Sequence, residues 1–154
     1  MDDIHAESDH VVIRPVTWRD FRSVLALERA CFPNDAWPWI DILASLTFPD
    51  TVRLEAEREG EPVGFVIGDR RRGEGVGWIA SIGVHPQFRR RGIGHQLLER
   101  CEKELGTIRV RLTLRRSNLG AQRLYRVSGY AEIGVWDRYY RDGEDALLME
   151  KVLA

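Results

Sequence analysis

IGVHPQFRRRGIG, residues 82–94, links the end of an apolar, β-prone run to the beginning of an amphipathic segment. This order predicts a strand, a short basic loop that contains glycine, and a helix in immediate succession. The first backbone N–H groups of a helix have no intrahelical partner, and the helix dipole places partial positive charge beside them. Glycine allows the main chain to approach a ligand closely. We therefore predict a phosphate-binding loop, called the phosphate loop below, at residues 89–94.

Composition predicts one ordinary domain and argues against several classes of partner. The chain has 154 residues, of which 44% are hydrophobic, and this is enough to bury one substantial core. We expect a single domain at residues 10–154, preceded by a flexible polar leader at residues 1–9. The 23 basic and 24 acidic residues give a formal net charge of -1, so no global field attracts nucleic acid or an anionic membrane. Any anion-binding site is therefore expected to be local.

Cysteine usage and the leader predict the compartment. Cys31 and Cys101 lack CxxC or histidine spacing, so we expect reduced, buried thiols and no metal site. Residues 1–9 lack the basic and apolar regions of a signal peptide, and no apolar run has the length of a membrane span. These features predict a soluble, cytoplasmic protein.

Hydrophobic periodicity predicts a mixed α+β fold with helices on both faces of one sheet. The expected order is β-α-α-β-β-β-α-β-α-β-β. Strand 108–114 alternates apolar and polar residues, so Arg109, Arg111 and Thr113 share a side that faces solvent or a cleft. The predicted helices run from Thr17 to Pro33, near 40–46, over 93–105 and from Ser117 or Asn118 to Gly129; the predicted strands are 10–16, 51–59, 62–71, 76–84, 108–114, 130–139 and 146–153.

Two motifs, in the right order, resemble the GNAT superfamily of acetyl-CoA-dependent N-acetyltransferases, and the resemblance extends over essentially the whole chain. The phosphate loop is similar to the Q/R-x-x-G-x-G/A motif that wraps the pyrophosphate of coenzyme A in that superfamily. A nucleotide phosphate site is an alternative, but the chain has neither a P-loop lysine pattern nor G-x-G-x-x-G. The resemblance implies a GNAT-type fold, with a mostly antiparallel, twisted sheet of about seven strands splayed between strands 4 and 5. The residues similar to the second motif, N…A…LY…GF, are Asn118, Ala121, Leu124, Tyr125, Gly129 and Tyr130.

The resemblance also implies which residues bind acetyl-CoA. Main-chain groups of strand 4 bind the pantetheine arm, and the Val84 N–H donates to the thioester carbonyl, a type of contact that stabilises acyl-transfer transition states by about 3 kcal/mol. Asn118 caps a helix and contacts the cofactor arm, and Tyr125 is the general acid for the leaving thiolate. A tyrosine that only packs in the core is the alternative for Tyr125. The implied cofactor-binding residues are Ile82, Gly83, Val84, Arg89, Arg90, Arg91, Gly92, Ile93, Gly94, Asn118 and Tyr125.

The C-terminal segment is similar to the RimI-like protein N-terminal acetyltransferases within the superfamily. Tyr139-Tyr140 precede the segment 143–146, GEDA, and in that group such an ending contributes to a hairpin that faces the peptide. An ordinary pair of cross-strand aromatic residues is the alternative interpretation. The substrate-binding residues that the resemblance implies are Phe32, Pro33, Asp35, Thr113, Tyr139 and Tyr140.

The general base is where this chain departs from the RimI-like pattern. That group commonly has Glu on the fifth strand, whereas this chain has Thr113, which cannot act as a base at neutral pH. Glu28, Asp35, or a water held by Thr113 or Ser81 remain as alternatives, and His85 is expected in a loop directed away from the reaction. A weak base favours an α-amine, with a pKa of about 7.8, over a lysine amine, with a pKa of about 10.4, by roughly 3.5 kcal/mol.

We therefore predict an acetyltransferase that acts by direct attack in a ternary complex on a protein or peptide N-terminus. Acetylation of a small-molecule amine, such as an amino acid, a polyamine or an antibiotic, is an alternative. A domain that binds acyl-CoA without catalysis is another, and Tyr125 argues against it. A nucleic-acid-binding module could use the arginine clusters at 70–72 and 115–116, but we expect these clusters to be solvated. The protein is expected to be a monomer or a homodimer.

Overall fold

Seven strands form one sheet in the computed structural model, which describes residues 10–71 and 73–153. The strands are β1 (Val12–Pro15), β2 (Thr51–Arg58), β3 (Glu61–Arg71), β4 (Val76–Val84), β5 (Arg109–Arg115), β6 (Ala131–Trp136) and β7 (Ala146–Val152). Their spatial order is β1-β2-β3-β4-β5-β7-β6. The expected mixed α+β class and the number of strands are confirmed. The leader predicted at residues 1–9 lies outside the described residues.

Four α-helices connect the strands in the predicted order: α1 (Phe21–Cys31), α2 (Trp39–Ser45), α3 (Ile93–Leu105) and α4 (Leu119–Val127). The Thr17 N–H donates to the Asp20 carboxylate at 3.0 Å, a contact that is typical of a capping box at a helix start. The turn that follows is a 3-10 turn, so α1 itself begins only at Phe21. None of the helices in the described ranges is long and apolar enough to cross a membrane.

The sheet splits between β4 and β5. These two strands are parallel and pair over three residues only, Val76 to Trp78 with Arg109 to Arg111, whereas every other pair of neighbours is antiparallel. Opposite the point where pairing stops, the β3–β4 ladder shifts register, which leaves Ala80 as the extra residue of a bulge in β4. A bulge bends its strand, so β4 turns away from β5 beyond this point. The predicted splay is confirmed.

Apolar side chains form two clusters, one on each face of the sheet. On one face, α3 and α4 pack against β2 to β5 and β7, with residues such as Leu97 and Leu112 fully buried. On the opposite face, α1 and α2 pack against Phe65 and Ile67 of β3. On the second face β5 carries Arg109, Arg111 and Thr113, whose side chains remain partly or fully exposed. The part of this face that lies beside the split is therefore accessible to solvent.

One element boundary differs from the prediction in a way that matters for the site. β6 ends at Trp136, and not at residue 139, because Arg138 adopts a left-handed backbone conformation with φ of 50°. Tyr139 and Tyr140 consequently lie in the connection between β6 and β7. The prediction that the strand continues to Tyr139 is wrong, whereas β6 and β7 do pair as an antiparallel hairpin.

Candidate active site

Two residues of β4 direct their backbone groups into the split. The His85 N–H donates to the Val63 carbonyl at 2.8 Å, so the alternation of an antiparallel ladder turns the Val84 backbone away from β3. The same alternation turns the Ile82 backbone away from β3, and β5 has diverged at this level. The Ile82 and Val84 amides thus face the split between the strands, as a ligand running along β4 requires.

Gly83 lies between these two residues and has a different environment. Its register partner is Phe65, so its backbone groups face β3. A Cβ at Gly83 would meet Cys31 Sγ at 2.8 Å, so glycine allows α1 to pack closely on β4. Cys31 is only half-buried, although burial still raises the pKa of its thiol. The structure gives Gly83 a packing role and no backbone group directed into the split.

The phosphate loop ends at an open helix N-terminus. Gly92, with φ of 79°, has nothing within 4 Å of an added Cβ, so glycine is needed there for its conformation and not for space. Arg90 is also left-handed, with φ of 64°. The first hydrogen bond of α3 runs from the Gln96 N–H to the Gly92 carbonyl at 3.1 Å, and no side chain caps the helix start. The amides of residues 93–95 are therefore available to an anion.

Arginine side chains add positive charge at this helix start. Arg89, Arg90 and Arg91 are exposed, and Arg89 Nε donates to the Val84 carbonyl at 3.0 Å, which brings its guanidinium to the end of β4. The Arg91 guanidinium carbon lies 5.3 Å from the centre of the Phe88 ring. Free amides together with nearby guanidinium groups match the chemistry of a pyrophosphate.

Tyr125 lies on α4, and its side chain is buried against the same apolar cluster that α3 covers. It is only 6% exposed, and its ring packs edge-on against Tyr130 with centroids 5.9 Å apart. Burial raises the pKa of its hydroxyl, and the nearby Tyr140 raises this pKa further. The hydroxyl is therefore protonated at neutral pH and forms no hydrogen bond within the described chain. It is available as a hydrogen-bond donor.

Asn118 forms the predicted cap of α4. Its Oδ1 accepts from the Ala121 N–H at 3.1 Å. Asn118 is exposed, and a further contact of its side chain with the donor remains a prediction.

Glu28 is a buried carboxylate that reaches the split from the α1 face. It is 1% exposed, and its oxygens accept from the Trp37 backbone N–H at 3.2 Å and from the Ser81 hydroxyl at 3.1 Å. No basic side chain in the described ranges forms a salt bridge with it. Burial raises its pKa, and the two hydrogen bonds oppose this shift. Such a carboxylate accepts a proton more readily than an exposed one.

Asp35, another possible base, is occupied by an arginine. Arg115 Nε donates to Asp35 Oδ2 at 2.5 Å, and Arg115 Nη2 donates to Asp35 Oδ1 at 2.7 Å. Both carboxylate oxygens are held in this bidentate pair, which leaves them poorly placed to take a proton from a substrate.

Aromatic side chains form a continuous row beside the split. Trp78 and Trp136 lie 6.1 Å apart between ring centroids, Trp136 and Tyr139 lie 5.3 Å apart, and Tyr139 and Tyr140 lie 5.1 Å apart. Tyr139 is 53% exposed, whereas partial burial raises the pKa of Tyr140 to about 12. The tyrosine pair thus continues a row of aromatic rings that begins at Trp78 of β4, and its contact with an acceptor remains a prediction.

The other residues that were predicted to bind the acceptor lie on β5 and around the end of α1. Thr113 is half-buried on β5, opposite Leu148 of β7. Phe32 is partly buried against the smaller apolar cluster under α1 and α2, which gives it a packing role, while Pro33 is exposed in the turn that follows α1. His85 accepts from the Gln87 N–H through Nδ1 at 3.2 Å, which agrees with its expected position in a loop.

Arg115 is the site residue that the sequence did not reveal. We expected residues 115–116 to form a solvated cluster, and this is wrong for Arg115. Its Nη1 contacts Asp142 Oδ2 and Glu144 Oε1, each at 2.8 Å, in addition to its pair with Asp35. The only sequence signal was the acidic GEDA segment, and nothing in that segment indicates a partner on β5.

A split sheet with an open β4 edge, an anion-binding helix start and ionisable groups on its two faces defines a transferase that uses a phosphate-bearing acyl donor. Residues 18–130 match the acetyltransferase (GNAT) family. The chain belongs to this family. It is an acetyltransferase whose acyl donor is acetyl-CoA.

Relatives extend the match beyond the family motifs. An uncharacterized N-acetyltransferase of Methanocaldococcus jannaschii is 33% identical over 145 residues, which cover 92% of this chain and 91% of that protein. An N-alpha-acetyltransferase of Sulfurisphaera tokodaii is 31% identical over 151 residues, covering 89% of this chain and 90% of that protein. A solved structure of a ribosomal-protein alanine N-acetyltransferase from Escherichia coli is similar with a TM-score of 0.85 at 24% identity, covering 94% of this chain and 95% of that one.

Proposed function

We propose that this acetyltransferase modifies the α-amino group of a protein or peptide N-terminus. The observation that carries the proposal is the buried Glu28 carboxylate, which has no salt-bridge partner among the described residues and accepts a hydrogen bond from Ser81 of β4. A carboxylate with a raised pKa suits deprotonation of an amine whose own pKa is about 7.8 better than one whose pKa is about 10.4. The Sulfurisphaera tokodaii relative, whose name is N-alpha-acetyltransferase, supports the same acceptor class.

Residues on the two faces of the split have different roles in the proposed reaction. Bound acetyl-CoA supplies an activated acetyl group. Glu28 accepts the proton of the amine, either directly or through a water held by the Ser81 hydroxyl. The Val84 N–H, which faces the split, stabilises negative charge on the acyl oxygen. Tyr125 remains protonated at neutral pH and donates a hydrogen bond to the departing sulfur from the opposite face.

An acceptor panel tests the proposal through release of free thiol from acetyl-CoA. The panel contains a peptide with a free N-terminus, the same peptide with a blocked N-terminus and one lysine, free amino acids, polyamines and aminoglycosides. We expect turnover with the free N-terminus and at least roughly tenfold less with the lysine amine of the blocked peptide. Equal rates on both peptides, or turnover confined to small molecules, would overturn the proposal.

A further inference from the structure

Arg115 joins three segments that are distant in sequence at the end of β5. Its side chain is only 20% exposed and contacts the α1–α2 connection through Asp35 and the β6–β7 connection through Asp142 and Glu144. The other oxygen of Glu144 accepts from the Ser117 N–H at 2.7 Å, which adds the β5–α4 connection to the same cluster. We call the surface between residues 32–38 and 137–145 the acceptor surface.

The same guanidinium also fixes an aromatic ring of the acceptor surface. The Arg115 guanidinium carbon lies 4.3 Å from the centre of the Tyr140 ring. Tyr140 in turn is close enough to Tyr125 to raise the pKa of its hydroxyl. The Tyr140 N–H donates to the Glu144 carbonyl at 3.1 Å. This bond closes the turn whose side chains contact Arg115. A displacement of Arg115 would therefore release both the Tyr140 ring and the carboxylates of this turn.

The carboxylates around Arg115 require a positive charge at this position. Three carboxylates from two separate connections surround one guanidinium, and they would repel one another if this cation were absent. Exposed ion pairs normally contribute little, but a bidentate pair in a shared network has defined geometry. Lysine has no planar fork, so it cannot reproduce the bidentate pair and the stacked contact together.

We propose that Arg115 is a positioning residue of the acceptor site: it sets the separation of the two connections that bound the acceptor surface, and it holds the ring of Tyr140 in place. The inference rests on the proposed function only in requiring that the acceptor amine lies on this surface. Arg115 acts through Asp35, Glu144 and Tyr140, and it does not touch the donor residues of the phosphate loop. The structure therefore predicts an effect on the acceptor that is separate from any effect on acetyl-CoA.

Steady-state kinetics of Arg115→Ala and Arg115→Lys test this separation, with whichever amine gives turnover in the acceptor panel. We expect the KM for the acceptor to rise roughly tenfold or more in Arg115→Ala, with the KM for acetyl-CoA unchanged within about twofold. Arg115→Lys is expected to recover little of this loss. The matched control is Arg116→Ala, because Arg116 is the next residue, is 64% exposed and makes a single contact with Asp145 at 3.4 Å.

Hydrogen exchange supplies a readout that does not depend on turnover. We expect faster amide exchange in residues 33–38 and 137–145 of Arg115→Ala, with exchange in α3 unchanged. If Arg115→Ala does not fold, Asp35→Asn is expected to raise the acceptor KM and to accelerate exchange in the same segments. An unchanged acceptor KM, an equal rise in both KM values, or unchanged exchange in these segments would overturn the inference. Failure of N-terminal peptides as substrates would overturn only the proposed function.

Discussion

A substitution of Glu28 is expected to lower activity without lowering stability. Its carboxylate is buried and its pKa is raised, so the fold gains stability from its protonated form below its ordinary pKa of about 4.3 and loses that gain as the pH rises through the raised value. At neutral pH, Glu28→Gln removes a buried charge and keeps polar partners for Trp37 and Ser81. We expect kcat to fall about a hundredfold or more while the thermal unfolding midpoint is unchanged or higher. A variant with normal kcat would show that Glu28 is not the base.

Ser81 predicts the direction of a pH effect. Its hydroxyl donates to Glu28 and lowers the pKa of that carboxylate, in opposition to burial. Ser81→Ala therefore raises the pKa of Glu28 further, and the ascending limb of kcat/KM against pH is expected to move to higher pH. The rate at the plateau changes less, because the base itself is retained. A limb that moves to lower pH, or does not move, would contradict the assignment.

Tyr125 and Tyr130 form a matched pair for testing the general acid. Tyr125→Phe keeps the ring contact at 5.9 Å but removes the hydroxyl, so we expect turnover to fall by about a hundredfold with the KM for acetyl-CoA little changed. Tyr130→Phe removes a hydroxyl that donates to the buried Glu102 at 3.1 Å. That loss is expected to lower stability by about 1–2 kcal/mol and to leave turnover nearly normal. Normal turnover in Tyr125→Phe would instead favour a domain that only binds acyl-CoA.

At the scale of elements, the role of the phosphate loop can be tested by comparing alanine substitutions at two glycines. Gly92 and Gly60 both have φ of 79° and open space around an added Cβ, so alanine costs about 1–2 kcal/mol of backbone strain at either position. Gly92 precedes α3, whereas Gly60 lies in the turn between β2 and β3. We expect Gly92→Ala to raise the KM for acetyl-CoA severalfold and Gly60→Ala to lower stability alone. Equal KM values in the two variants would exclude a donor-binding role for the loop conformation.

The sequence predicts elements that are determined by neighbouring residues better than features that depend on contacts between residues distant in the chain. The phosphate loop is local: a strand, a glycine and an amphipathic helix follow one another, and the structure has all three at the predicted residues. The end of β6 depends on the left-handed conformation of Arg138, which alternation of apolar residues does not encode. The contact of Arg115 with Asp35 joins residues 80 positions apart, so no local pattern predicts it.

At the scale of the whole molecule, the described residues form two apolar clusters on opposite faces of one sheet, in which β4 and β5 are paired at one end of the split and separated at the other. Tyr125 belongs to the cluster under α3 and α4, while Glu28 belongs to α1 on the opposite face. The sequence predicts the order of the strands and helices and the presence of helices on both faces of the sheet. It did not predict that Glu28 approaches Ser81 from the opposite face, because this depends on the close packing of α1 against Gly83.

This architecture predicts that the donor stabilises the entire fold. A ligand that occupies the split contacts β4, α3 and α4 together, so coenzyme A at a hundred times its Kd is expected to add about 2.7 kcal/mol. For a domain of this size, that corresponds to a rise of roughly 5–10 °C in the thermal unfolding midpoint. High salt is expected to reduce the rise, because Arg89, Arg90 and Arg91 are exposed and their attraction for phosphate is screened. Gly92→Ala should reduce it at a fixed concentration, and Arg116→Ala should not. An unfolding midpoint that coenzyme A leaves unchanged in the native chain would show that the donor does not bind in the split.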